Sequence, residues 1–408
     1  MKRVVVTGIS MISPIGQNWD EIYTNLKNLQ SGVIHIDEWD KYEDLRTRVG
    51  SPVKDFKLPP HYGRKQTRSM GRVAQMSVRA SELALEDAGL LDDPEIQNGC
   101  MGISYGSSSG SPEAIGDFAN VKINYRMDGV NANTYIKMMP HTTAVNLDVY
   151  FKLKGRIITT SSACTSASQG IGYAYEAIKY GMQTMMLAGG AEELDVTQAA
   201  VFDTLFATST VNDKPQTTPK PFDRDRDGLV IGEGAATFVL EELEHAKARG
   251  AKIYAEIIGF HTNSDGCHVT QPSFETMQIA MEQALLDANL PTSEIGYINA
   301  HGTATPRGDI AESIACKNVY GSNAPISSLK SYMGHTLGAC GGIEAGIGIH
   351  MMNNNWFAPT INLKNIDEEC ADIDYIVGDG RVIDTEHFVN NNFAFGGINA
   401  SIIFKRWS

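Results

Sequence analysis

The chain's 408 residues suffice for one large α/β unit or for two domains sharing a core, and its hydrophobic (42%) and charged (20%) fractions are those of an ordinary globular protein. A formal charge of −14 excludes a general nucleic-acid binder, which needs a basic footprint, and no apolar stretch is long enough to cross a bilayer. The six scattered cysteines form no C-x-x-C pair, so neither a zinc motif nor a disulfide framework is indicated, and a reducing cytoplasm is the expected compartment.

The first element is Lys2-Arg-Val-Val-Val-Thr, a brief β-branched run that reads as a buried strand and not as a secretory signal. Ser77 to Ala88 predicts a helix and Met101-Gly-Ile-Ser-Tyr a strand. Arg156-Ile-Ile-Thr-Thr predicts the next strand, Gly170 to Tyr180 a helix, and Thr184-Met-Met-Leu-Ala-Gly a further strand. Short β-branched runs alternating with longer amphipathic ones are the α/β signature, and no Pro- or Gly/Ser-rich linker interrupts them. The order then starts again near Ile253-Tyr-Ala-Glu-Ile-Ile-Gly-Phe260. Ala84-Leu-Glu-Asp-Ala-Gly-Leu90, before the strand at Met101, is echoed by Ala284-Leu-Leu-Asp-Ala-Asn-Leu290, before Ile295-Gly-Tyr-Ile-Asn. Gly89 and Asn289 suit a left-handed helix cap. The matching order of neighbours predicts an internal duplication, with halves spanning 1–250 and 251–408. Ligands of open α/β sheets bind beyond strand ends, so a site assembled from both halves is expected.

Three segments carry chemistry. Cys164, in Thr160-Ser-Ser-Ala-Cys-Thr, sits where a strand turns into a small-residue helix. The helix dipole there is expected to lower the thiol pKa, although a buried cysteine is as often mere core. His301-Gly-Thr-Ala-Thr-Pro-Arg-Gly-Asp follows the strand Tyr297-Ile-Asn-Ala, and Lys330-Ser-Tyr-Met-Gly-His335 follows Ile326-Ser-Ser-Leu. Two imidazoles and a thiol at equivalent strand ends form a catalytic constellation. Zinc is disfavoured, because no fourth ligand and no short zinc spacing is present. Asn390-Asn-Asn-Phe-Ala-Phe-Gly396-Gly397-Ile-Asn supplies a loop whose backbone N–H suits half of an oxyanion hole.

Taken in order, Ser-Ser-Ala-Cys164, His301-Gly-Thr-Ala-Thr-Pro-Arg-Gly-Asp, Lys330-Ser-Tyr-Met-Gly-His335 and Phe393-Ala-Phe-Gly-Gly-Ile-Asn resemble the β-ketoacyl-[acyl carrier protein] synthase I/II family. Gly189-Gly-Ala-Glu-Glu and Pro221-Phe-Asp-Arg-Asp-Arg-Asp-Gly extend the resemblance over essentially the whole chain. It implies a thiolase-like fold, with duplicated βαβαβαββ halves in a five-layered α/β/α/β/α arrangement, and a decarboxylative condensation without metal or redox cofactor. It implies that Cys164 is the acylated nucleophile, that His301 and His335 drive decarboxylation and condensation, and that Lys330 and Glu344 form the charged pair behind them. Phe395 resembles the gate, its N–H joining that of Cys164 in the oxyanion hole; Thr270, Thr303 and Thr305 resemble contacts to phosphopantetheine. The implied partners are an acyl carrier protein and a second subunit, identical or a ketosynthase-like paralogue.

The departures are Ala394 for a glycine, Ile398 for a threonine and Phe206 for a carrier-binding arginine. They bear on chain length and on a polyene or polyketide pathway as against membrane fatty acids. A thiolase would need a second catalytic cysteine where this chain carries histidines, and a non-catalytic chain-length partner would lack Cys164. An acidic carrier calls for a basic dock, for which Arg64, Lys65, Arg68 and Arg72 are the candidates.

Overall fold

A computed structural model describes all 408 residues. Eleven strands form the main sheet: β1 (Val4–Ile12), β2 (Met101–Gly106), β3 (Ile157–Thr160), β4 (Met185–Glu192), β5 (Gly234–Glu242), β6 (Ala255–Ser264), β7 (Tyr297–Asn299), β8 (Pro325–Ser327), β9 (Asp374–Tyr375), β10 (His387–Ala394) and β11 (Ile398–Arg406). Their order is β9-β8-β7-β10-β11-β6-β1-β5-β4-β2-β3. From the central β1–β6 pair outward, each side reads alike. Antiparallel neighbours come first (β5 and β4; β11 and β10), then parallel ones (β2 and β3; β7 and β8). The duplication expected from the sequence is therefore present in the sheet, and the two sides meet through a short register, Val4↔Ile257 to Val6↔Ala255.

The principal helices are α1 (Arg72–Asp87), α2 (Pro112–Asn124), α3 (Ala132–Met138), α4 (Thr142–Phe151), α5 (Ser166–Lys179), α6 (Val196–Asp203), α7 (Phe274–Ala288), α8 (Pro306–Tyr320) and α9 (Cys340–Asn353). Amphipathic α1 lays its apolar face on β1 and β5, and α7 does the same on β6 and β11. The chain leaves them through Gly89 (φ +68°) and Asn289 (φ +50°), the left-handed residues anticipated. By contrast, α5 and α9 touch strands of both halves and each other. Cys340-Gly-Gly-Ile-Glu-Ala-Gly-Ile-Gly-Ile is apolar nearly all round and wholly buried, as a helix packed between the two halves of the sheet must be. The layers are thus helix, one half of the sheet, α5 with α9, the other half of the sheet, helix. One apolar cluster runs through the seam, joining Ile171 and Ile178 of α5, Ile343 and Ile347 of α9, Val4 and Ile402.

Candidate active site

Both central helices are entered through a strained turn. After β3 the backbone passes through Ala163 at φ +50°; at the matching place before α9 it passes through Leu337 at φ +46°. Left-handed backbone costs an L-residue about 1 kcal/mol or more and persists where surroundings enforce it. Around Ala163 hydroxyls do so: Ser166 Oγ accepts the Ser162 N–H at 3.0 Å and donates to the Ala163 carbonyl at 2.7 Å. Cys164, next in the chain, is thereby held at the base of α5, buried, with its Sγ 2.9 Å from His335 Nε2. Backbone N–H groups of Phe395 and Cys164 face the sulfur. These N–H groups and the Lys330 charge favour thiolate, but burial outweighs them and pushes the thiol up to about 12. The depressed pKa expected from the helix terminus is corrected here: burial of Cys164 favours the thiol form.

His301 and His335 stand edge to face, ring centroids 5.1 Å apart. The His301 tautomer follows from its neighbours. Nδ1 faces Lys330 Nζ at 3.2 Å and Asn392 Nδ2 at 3.3 Å, both donors, so Nδ1 accepts and Nε2 carries the hydrogen. For His335, Nδ1 is buried without a partner. An unpaired buried acceptor is tolerated better than an unpaired N–H, which again places the hydrogen on Nε2, toward Cys164. Burial, then the Lys330 charge, holds both imidazoles well below their ordinary pKa. Lys330 stays charged because Glu344, on α9, pairs with it out of contact with water. Cys164, His301 and His335 offer ligand atoms within 4.8 Å of one another, a spacing open to a metal ion. The buried ammonium behind them opposes a cation and suits negative charge.

Three supporting residues escaped the sequence reading. Asn392 donates to Glu344 Oε2 at 2.8 Å as well as facing His301. Glu312 accepts the N–H groups of His301 and Gly302, each at 2.7 Å, and Asp309 accepts those of Thr303 and Ala304 at 3.1 Å. Their signal was the spacing of Asp309 and Glu312 in the first turns of a helix opened by Pro306, just after His301. For Asn392 it was three successive asparagines in a buried strand, which must find partners.

Comparison with known proteins decides the family. Residues 1–246 match the model for the beta-ketoacyl synthase N-terminal domain, and residues 254–364 that for its C-terminal domain. The chain belongs to the beta-ketoacyl synthase family. It is 39% identical to the 3-oxoacyl-[acyl-carrier-protein] synthase 2 of Vibrio harveyi, over 99% of both chains. A crystal structure of a beta-ketoacyl synthase from Burkholderia phymatum STM815 superposes with a TM-score of 0.99 at 58% identity, covering 100% of each chain. The type II polyketide complex AntDE:AntF, an acyl-carrier protein with its ketosynthase, matches at 30% identity, 100% coverage of each chain and a TM-score of 0.85.

In this family member a cavity of about 470 Å³ leads to the sulfur, lined by Thr270, Thr303, Thr305, His301, His335 and Phe395 among others. Thr303 and Thr305 share a hydroxyl hydrogen bond of 2.9 Å. The Phe395 ring rests on Phe202 of α6 at 5.0 Å between centroids. The turn beyond it is made by Gly396 (φ +87°) and Gly397 (φ +69°), where a side chain would be strained. Ala394 ends β10 opposite Ile398 without a positive φ, so a side chain is accommodated here without backbone strain. Phe206 lies on the cavity rim, 74% exposed, with the Arg46 guanidinium 4.2 Å above its ring. Arg64, Lys65 and Arg68 are exposed and lie outside the cavity lining. Arg72 differs from these three in making a bidentate ion pair with buried Glu233 (2.6 and 2.8 Å), which locally balances its charge. No helix is long and apolar enough to cross a membrane.

Proposed function

We propose that this chain is a β-ketoacyl-ACP synthase that joins an acyl group carried on Cys164 to the carbanion left by decarboxylation of malonyl-ACP, giving 3-oxoacyl-ACP. One observation carries the reading: a buried thiol lies beside two neutral imidazoles, His335 Nε2 at 2.9 Å from Sγ and a ring nitrogen of His301 within 4.8 Å, with a charged Lys330 behind. In the first half-reaction Sγ attacks the thioester of acyl-ACP, the oxyanion is held by the N–H groups of Cys164 and Phe395, and the thiol proton leaves on the departing carrier sulfur. In the second, the C–CO2 bond of the malonyl group breaks and the enolate oxygen takes hydrogen bonds from His301 and His335. A neutral imidazole is a weak acid, so it stabilises the enolate without protonating its carbon. The carbanion attacks the acyl carbonyl, the C–S bond to Cys164 breaks, and solvent returns the thiol proton.

The roles follow this scheme. Lys330 and Glu344 fix the imidazole tautomer and charge; Thr270, Thr303 and Thr305 line the way for phosphopantetheine; Phe395 is the gate. The chemistry needs no metal or redox cofactor. Arg64, Lys65 and Arg68 form the basic dock for an acidic carrier, a partner of the kind seen in the AntDE:AntF complex. The protein works as a dimer, with itself or a ketosynthase-like paralogue. Supporting this, β3 is an edge strand with Ile157 and Thr159 exposed, and the α2–α3 hairpin presents exposed Ile123, Tyr125 and Met127. Six free cysteines suit the cytoplasm. The direct test is intact-mass analysis after incubation with acyl-ACP. One acyl adduct on the native protein and none on Cys164→Ala is the expected result; no adduct on the native protein identifies a non-catalytic chain-length partner instead.

A further inference from the structure

Glu192 closes β4, is fully buried and pairs with no cation. A carboxylate there is costly unless its lone pairs are used, and all of its partners come from other segments. Oε2 accepts the backbone N–H of Ser108, in the loop after β2, at 2.8 Å and that of Gly338 at 3.0 Å. Oε1 accepts Gln198 Nε2 at 3.3 Å and Ser109 Oγ at 3.4 Å. Gly338 lies three residues beyond His335, in the turn entered through Leu337. A Cβ on Gly338 would stand 2.7 Å from Glu192 Oε2 and 2.7 Å from the Ser108 nitrogen, so glycine is what lets the carboxylate reach this N–H. Gln198 lies on α6 one turn before Phe202, the ring that backs Phe395. The internal duplication offers a control. Glu192 ends β4 as Ala394 ends β10, both eight-residue strands, and Ala394 has no group with which to make such ties. The carboxylate is therefore not inherited scaffold common to both halves.

We propose that Glu192 is a positioning residue that ties the His335 turn to the helix behind the gate, so that one buried carboxylate sets the imidazole and Phe395 together. This rests on the condensing reading above. Three variants separate its links: Glu192→Ala, Glu192→Gln and Gln198→Leu. For each, the rate of Cys164 acylation is read by intact mass, CO2 release from malonyl-ACP is measured on enzyme already acylated, and the thermal midpoint is recorded. Glu192→Ala frees the Gly338 and Ser108 N–H groups, and both half-reactions should slow by about tenfold or more. The Glu192→Gln amide oxygen still accepts those two N–H groups, so CO2 release should return to within about threefold of the native rate. Gln198→Leu cuts only the α6 link and should slow acylation while leaving CO2 release from acylated enzyme unchanged. If Glu192→Ala does not fold, the contrast between Glu192→Gln and Gln198→Leu decides in the same way. CO2 release within about twofold of native in Glu192→Ala overturns the proposal, as does equal loss of both half-reactions in Gln198→Leu. A native protein that neither acylates nor releases CO2 overturns the condensing reading instead.

Discussion

Replacing Lys330 by Met should separate the stability of the site from its chemistry. In the native protein the ammonium is fully buried, paired with Glu344 and 3.2 Å from His301 Nδ1. Removing it leaves Glu344 without its countercharge, held by hydrogen bonds from Asn392, at 2.8 Å, and Asn299. Breaking a buried ion pair on one side costs about 3–5 kcal/mol. In a chain of this length each kcal/mol moves the thermal midpoint by roughly 1–2 °C, so a fall of roughly 5 °C is expected. Glu344→Leu in the same chain removes the stranded carboxylate and should restore most of that fall, a non-additivity that marks a coupled pair. Decarboxylation should not return with it. Lys330 is the second contributor, after burial, to the low pKa of His301, so its loss moves that pKa upward. Native activity should therefore persist as pH falls through 6.5, the ordinary imidazole value, and the variant should lose activity at a higher pH than native. The assay is differential scanning fluorimetry beside 14CO2 release from malonyl-ACP between about pH 5 and 8. Additive stability losses in the double variant, or an acid limb unmoved by Lys330→Met, would refute the coupling.

Three further outcomes are expected. In a Cys267→Ser background, chosen because Cys267 is the exposed thiol, iodoacetamide inactivation should keep accelerating as pH rises beyond 8, since the Cys164 thiol lies near 12; a plateau below pH 8 would place the thiolate in the resting enzyme. Reversing Arg64, Lys65 and Arg68 to Glu should raise KM for carrier-borne substrates about tenfold or more at low salt, leave adduct formation from a small acyl thioester unchanged, and lose its effect at high salt. Ala394→Gly with Ile398→Thr should widen the range of saturated acyl lengths accepted, because Gly relieves a cost of order 1 kcal/mol wherever the opened loop needs positive φ; equal turnover of all lengths by the native protein would make both residues neutral.

The ordered motifs marked Cys164, His301 and His335, which the fold brings within 4.8 Å of one another, because strand-to-helix junctions are marked by small and β-branched residues on either side. The duplication was legible for the same reason, through Ala84–Leu90 and Ala284–Leu290. The direction of the Cys164 pKa was not. The helix terminus is visible in sequence, but the depth of burial that outweighs it is a property of the two halves of the sheet closing over α5 and α9. The ion pair of Arg72 is not legible in the sequence for a related cause: a basic residue beside Arg64, Lys65 and Arg68 looks free until Glu233, over 160 positions away, is folded against it. Glu192 is not legible in the sequence because a side chain that works through backbone N–H groups of distant segments leaves no local pattern.

The central claim is that Cys164 takes the acyl group without a required base while the two imidazoles drive loss of CO2. The most direct measurement is a single-turnover comparison of native protein and His335→Ala, following the acyl adduct on Cys164 and 14CO2 from malonyl-ACP in the same samples. The adduct should still form in the variant, and CO2 release should fall by about 10²–10³, the effect of losing one preorganised donor. A variant that forms no adduct would make His335 the base that activates Cys164, and would contradict the account at its first step.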